Sequence, residues 1–416
     1  MTPSDFLPAF STSRMTDAHK HPYRVVLICN FLPDRQESIL RYGDMLFDSL
    51  KARGVPVARI RPRATVLSAM PRLPNALVKW IAYIDKFLLF PHSLSRLARL
   101  ENARAARESN PPVIYHIVDH GNASYVSCVL DQPHVVTCHD ALAIRSALNE
   151  IPENRTKWSG RIFQNWILSS LKKSGMVACV STQTEREIQR VAELDAGHTA
   201  VIPHALNYPY HVLPPDEIET LLAPLWRIVK LEPPVRFLFH VGGTQWYKNR
   251  GGLLDIFAEI KKISPVRRVL VIAGKPHTAE NEEKIKALGL EGDVFYVGEV
   301  TCEQLNALYA SAEALLFPSL AEGFGWPLIE AQISGCPVFT TNASPMSEIG
   351  ADAAKFFDPK DPVAAAKIVV EGLHDRDGMV RRGLVNGAKY SQEAMVESYL
   401  SLYDQVISKW NQRATA

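Results

Sequence analysis

One feature limits the folds open to this chain: short, continuously apolar runs alternate with helix-like stretches along almost its whole length. In the first half the runs are "RVVLICN" (24–30), "VPVARIRP" (55–62), "VIYHIVD" (113–119), "HVVTCHD" (134–140) and "MVACVS" (176–181). In the second they are "RFLFHVGG" (236–243), "RRVLVIAG" (267–274), "VFYVGEV" (294–300), "ALLFPSL" (314–320) and "PVFTTNA" (337–343). Strands apolar on both sides belong to parallel sheets covered by helices on both faces. The intervening helices carry start signals. Thr301 and Gln304 have capping-box spacing, and Asp361 precedes Pro362 at the head of another helix. The alternation breaks once, in the proline-dense 202–237, so the chain reads as two doubly wound α/β domains. The expected division is a tail over 1–22, domains over 23–210 and 211–390, and a last helix over 391–416. Ligands of such sheets bind beyond the C-terminal ends of the strands. The candidate polar residues cluster there, so two such edges would line an interdomain cleft.

Length agrees with this division, since 416 residues suit two or three domains at roughly 100–200 residues each. A 47% apolar and 22% charged composition is ordinary for a globular protein, and a net charge of +2 provides no field for nucleic acid. The six cysteines, Cys29, Cys128, Cys138, Cys179, Cys302 and Cys336, show no C-x-x-C spacing. They read as reduced core thiols of a cytoplasmic protein. The polar start of the chain has no signal-peptide core, and no run reaches the roughly 18 apolar residues of a membrane span.

The stretch "AEGFGWPLIEA" (321–331) carries the first chemical signal. It reads as a glycine turn between an apolar strand and a helix, with Pro327 at the helix start. Glu322 then falls at the strand's C-terminal edge and Glu330 about one turn into the helix. The open amides of a helix start attract anions, and carboxylates accept hydrogen bonds from sugar hydroxyls. A structural turn with two solvated glutamates reads equally well from spacing alone.

The segment 317–359, "FPSLAEGFGWPLIEAQISGCPVFTTNASPMSEIGADAAKFFDP", resembles the donor-binding signature, E-x7-E and its downstream run, of retaining glycosyltransferases of family four, whose fold is GT-B. "HVGGTQWYKNRGG" (240–252) is similar to the family's phosphate loop. "VVTCHDA" (135–141), "VIPHALN" (201–207) and 298–320 also fit. The resemblance implies that Glu330 holds the ribose of a nucleotide-diphosphate sugar and Glu322 the sugar hydroxyls. Gly323, Phe324 and Gly325 would present amides to sugar and diphosphate. Gly243, Thr244, Lys248 and Asn249 would line the phosphate side. The family's arginine before the lysine is replaced by Tyr247, which leaves Arg250 as a candidate second charge. Residues 30–46, "NFLPDRQESILRYGDML", also depart from the family's glycine-rich loop, which leaves acceptor contacts there open.

The implied reaction is retaining transfer of a hexose, mannose or glucose for example, to a glycan or lipid-linked acceptor. The leaving diphosphate gathers negative charge, which fixed cations and amide dipoles stabilise. Neither a cofactor nor a metal is required on this reading. His139 would orient or neutralise the sugar, with a hydrogen-bonded structural histidine as the alternative. Asp140 would orient His139 or cap the next segment. His120 is a candidate on the acceptor side. In 75–100, Trp80, Ile84, Phe87 and Leu88 recur near helical spacing among basic residues. That suits either a core helix or peripheral contact with an anionic inner membrane face. Two other readings share the fold: a sugar-nucleotide epimerase and a non-catalytic sugar-nucleotide binder. Near 390–410, Met395, Tyr399, Leu402 and Tyr403 share a helical face. In the family such a helix crosses back to the first domain.

Overall fold

The computed structural model describes residues 21–69, 75–108 and 111–415. The expected tail over 1–22 lies outside them except for its last two residues. Two compact units emerge. The first runs to Pro203 and takes in the chain again from Gln392; the second is His204–Ser391.

The first unit holds β1 (Arg24–Ile28), β2 (Val57–Ile60), β3 (Val113–Ile117), β4 (His134–Cys138), β5 (Val177–Cys179) and β6 (Thr199–Val201). They pair in parallel in the order β2-β1-β3-β4-β5-β6. The second holds β7 (Phe237–Gly242), β8 (Val269–Gly274), β9 (Val294–Gly298), β10 (Ala314–Phe317), β11 (Val338–Thr341) and β12 (Ala354–Phe357), ordered β12-β11-β10-β7-β8-β9. Helices flank both sheets, which makes each unit Rossmann-like. Strands β1, β3, β4, β10 and β11 are buried along nearly their whole length, the burial expected of sheets covered on both faces. Of the four edge strands, β6 and β12 are short and were not evident from apolar runs.

The capping signals operate as expected. Thr301 and Gln304 form a full capping box on the helix Cys302–Ser311. Asp361 accepts a hydrogen bond from the Ala364 amide at 3.0 Å. The proline-dense 202–237 contains the helix Pro215–Val229, although Pro224 lies inside it. The final helix, Gln392–Thr415, packs within the first unit through a buried polar network. Tyr399 and Tyr42 share a short hydroxyl contact, and Thr137 Oγ1 lies 3.2 Å from Tyr42 and 3.1 Å from Tyr399. His116 joins Thr137 and Tyr403, both at 2.7 Å. Burial pushes the His116 pKa down to about 3, so its ring is neutral and bonds through both nitrogens.

Residues 75–100 divide their faces in a way that regular helical spacing did not predict. The helix Asn75–Ile84 passes through a π turn, Asp85–Leu89, into the helix Phe90–Glu108. The wider turn changes the phase. Phe87 packs on Phe163 and Trp166, and Phe90 and Leu94 enter the core, whereas Trp80 and Leu88 face solvent at 66% and 65% exposure. Among the described residues no helix is long and apolar enough to cross a membrane.

Candidate active site

Strands β7 and β10 are parallel neighbours, so the loops leaving their C-terminal ends meet. The Leu320 amide donates to the Tyr247 carbonyl at 2.7 Å, and the Asn249 side chain donates to the Pro318 carbonyl at 3.1 Å. Lys248 Nζ donates to Glu322 Oε1 at 2.7 Å, with the two side chains only 15% and 10% exposed. The ammonium also lies 5.3 Å from the Phe317 ring centre. A pair so shielded interacts strongly, and losing one partner strands the other's charge.

Two backbone devices shape these loops. Asn249 adopts a left-handed conformation with φ 52°, and its Oδ1 accepts from the Gly252 amide, which starts the helix Arg250–Ile263. Gly274 pairs with Gly242 at φ +111°, and a Cβ there would lie 2.3 Å from the Gly242 carbonyl oxygen, so only glycine fits. Arg250 departs from the expected phosphate-facing placement. It is 5% exposed, and its guanidinium donates to the Pro276 carbonyl at 3.2 Å and the Gly242 carbonyl at 2.9 Å. It ties the loop to the sheet. Thr244 is exposed at the loop's crest, and Gly243 is half-buried beside it.

The second loop, 318–325, ends at Gly325 with φ +100° and opens the helix Trp326–Ile333, where Pro327 is the second residue. Phe324 is buried against His204 and Tyr390, ring centres 5.2 and 5.7 Å away. Trp326 stacks on His204 at 4.5 Å and donates its indole N–H to the Ala205 carbonyl at 2.9 Å. These contacts fix the glycine turn and leave Gly323 half-buried at its rim. Glu330, 6% exposed, accepts a hydrogen bond from the Tyr309 hydroxyl at 2.9 Å. Burial and the adjoining carboxylate keep that phenol protonated. Three polar atoms here, His240 Nε2, Arg250 Nε and Ser319 Oγ, are buried without a partner.

His139 and His120 lie in the first unit, at the C-terminal ends of β4 and β3, with ring centres 6.4 Å apart. His139 Nε2 donates to the Val118 carbonyl at 2.8 Å, which leaves Nδ1 as the basic nitrogen. Burial outweighs the attraction of Asp119 and lowers the His139 pKa, so the ring is neutral near pH 7. Asp119 receives the Asn30 amide at 2.5 Å and the Gly121 N–H at 2.9 Å. Burial opposes its charge, but His120, His139 and these donors prevail and hold its pKa below the usual value. Asp140 accepts from the Leu142 amide at 2.9 Å, just ahead of the helix Leu142–Ala147, whose N-cap is Ala141.

Residues 227–389 match the family described as Glycosyl transferases group 1, and 19–208 match Glycosyltransferase Family 4. The chain belongs to the group 1 glycosyltransferases. This glycosyltransferase is 26% identical over 292 residues to O-antigen chain mannosyltransferase B of Escherichia coli, covering 68% of this chain and 73% of that one. Sucrose-phosphate synthase from Thermosynechococcus elongatus superposes with a TM-score of 0.66 at 18% identity, over 93% of this chain and 100% of that one. Anabaena HepE in complex with UDP and glucose gives 0.63 at 14%, over 92% and 99%. These similarities establish the GT-B fold.

The glycosyltransferase contains site groups that the sequence reading passed over. Tyr309 sits in an apolar helix and looks like core. His240 and Ser319 lie in strand-like runs. Asn30 was quoted as the end of a strand and the start of a departure from the family, and Asp119 only as the end of a strand. What marks each of them is proximity in space to a candidate, and that has no short-range sequence signal.

Proposed function

We propose that this chain is a retaining hexosyltransferase. It moves a hexose from a nucleotide-diphosphate sugar to a glycan or lipid-linked acceptor in polysaccharide biosynthesis, without a metal. The Lys248–Glu322 pair between two glycine turns carries the reading. Lys248 takes the leaving diphosphate, with the helix amides behind Gly323, Phe324 and Gly325 and the loop at Gly243, Thr244 and Asn249 beside it. Glu322, released from Lys248 as the anion arrives, accepts sugar hydroxyls. Glu330, oriented by Tyr309, holds the ribose. His139, neutral and with Nδ1 basic, orients the sugar, and His120 faces the acceptor. Mannose is the favoured sugar, on the strength of the Escherichia coli mannosyltransferase. Arg250 acts through the loop geometry and makes no phosphate contact.

Membrane contact accompanies this role, at a cytoplasmic inner membrane face. Trp80, Ile84 and Leu88 are exposed at four-residue spacing, and so are Trp158, Ile162 and Trp166 on the helix Trp158–Leu171. Phe87 and Phe163 join the two helices, and Arg155 and Lys157 flank Trp158. Tryptophan and aliphatic side chains beside cations suit an anionic lipid surface.

The test is a thermal-shift screen against UDP- and GDP-linked sugars, followed by product analysis with the best binder. A donor that raises the melting temperature and releases nucleoside diphosphate supports the reading. An epimerised nucleotide sugar, or binding without turnover on any acceptor, overturns it.

A further inference from the structure

In the first unit, a cavity of about 580 Å³ opens beside the C-terminal end of β2. One wall is apolar: Ile60, Leu88, Leu89 and Leu97, with Phe90 and Leu94 at the base. The other carries Arg59, Arg61 and Arg63. These alternate along an extended chain, which carries residues two apart on the same side. Asp44 pairs with Arg59 and lies 3.3 Å from Arg61. Asp85 also lines the cavity, but its carboxylate accepts the Val66 and Leu67 amides at 3.0 and 3.1 Å, and that holds the helix Thr65–Ser68 in place. The lining thus carries three guanidiniums and one carboxylate, Asp85, with Asp44 joining Arg59 to Arg61 beside it, and its formal charge is net positive.

The opposite wall is made by the π turn. Its consecutive Leu88 and Leu89 are 65% and 41% exposed. Leu88 belongs both to this wall and to the exposed Trp80–Ile84–Leu88 stripe. The cavity is therefore continuous with the face assigned above to the membrane. An occupant must offer an anion to one wall and hydrocarbon to the other. Guanidinium groups bind phosphate through paired, charge-assisted hydrogen bonds.

We propose that this cavity binds a phosphate group carried on an apolar chain, with the phosphate on Arg61 and Arg63 and the chain running over Leu88, Leu89 and Leu97 toward the Trp80 stripe. The site deepens the lipid-linked acceptor reading and rests on it for its role. The phosphate is either that of a single-chain acceptor lipid or that of a two-chain membrane lipid.

The experiment measures binding of the full chain to farnesyl phosphate and to dihexanoyl phosphatidic acid, with inorganic phosphate and farnesol as controls. Arg63→Glu and Leu88→Asn are made at exposed positions, so folding is retained, and Lys51→Glu repeats the charge change outside the cavity. Either lipid phosphate should bind about tenfold or more tightly than both controls, and Arg63→Glu and Leu88→Asn should each weaken it by about tenfold, on the scale of one charge-assisted hydrogen bond or one buried leucine. Lys51→Glu should bind as the unaltered chain does. Whichever lipid binds more tightly identifies the source. Binding no tighter than inorganic phosphate, or unchanged in both cavity variants, overturns the proposal. The nucleotide-sugar thermal shift of the same variants reports the donor site separately, so failure of the transferase reading and failure of this one are distinguishable.

Discussion

The candidate groups of the two units are built differently. In the second unit, two contiguous loops of about eight residues each carry Lys248, Asn249, Glu322 and the glycine turn, and the central contact is an ion pair of 2.7 Å. In the first, single residues from three strand ends (Asn30, Asp119 with His120, and His139) converge into a buried cluster held by amides and carbonyls. The first arrangement needs only two neighbouring strands in register. The second needs β1, β3 and β4 placed correctly, and beneath them the tyrosine network that Gln392–Thr415 brings in. Loop chemistry should therefore fail residue by residue, and cluster chemistry should fail with its support.

The largest effect tests that support. Deleting residues 391–416 removes Tyr399 and Tyr403 and strands Tyr42, Thr137 and His116 as buried polar groups. Glycosyl transfer should be abolished, although no candidate site residue is lost. A truncated chain with full turnover would show that the cluster does not depend on the helix. Next, Lys248→Ala should lower turnover by about 100- to 1,000-fold, the usual cost of removing one preorganised group from a leaving anion. Arg250→Ala should mainly lower the melting temperature, because its guanidinium binds carbonyls. Comparable turnover losses with unchanged stability in both would break the distinction drawn between them.

The two glutamates sharpen the comparison within the second unit. Glu322→Gln should lower turnover about 100-fold through lost alignment and leave nucleoside diphosphate affinity within a few-fold. Glu330→Gln should weaken the nucleotide by about tenfold, the worth of one charged hydrogen bond. Isothermal titration and steady-state kinetics on both variants would expose an exchange of these roles.

The smallest effect concerns pH. The Asp119 pKa is depressed in the folded state, so its charge stabilises the fold above the ordinary carboxylate range. That contribution is lost as pH falls through the folded value. Asp119→Asn should flatten the acid limb of the stability curve and leave the neutral region less changed. An identical acid limb would remove Asp119 from the account of the cluster.

Much of this protein follows from local rules. Continuous apolar strands between capped helices required parallel sheets, and the glycine turn, the capping box and Asp361 all act where short-range chemistry places them. Glu322 and Lys248 became candidates through the family resemblance; local rules add only that each lies a few residues past a strand end, where parallel sheets present their loops. The tertiary structure decided what depends on partners far along the chain. Arg250 turned from a candidate phosphate ligand into a loop tie because the Pro276 carbonyl stands 26 positions away in sequence but 3.2 Å away in space. Tyr309 became Glu330's partner across 21 positions, and Tyr399 met Tyr42 across 357. The π turn at Asp85–Leu89 shifted helical phase and decided which of Trp80, Phe87 and Leu88 is core. Periodicity reports the face of a regular element; it is silent where the element changes pitch and where a hydrogen bond closes a long loop.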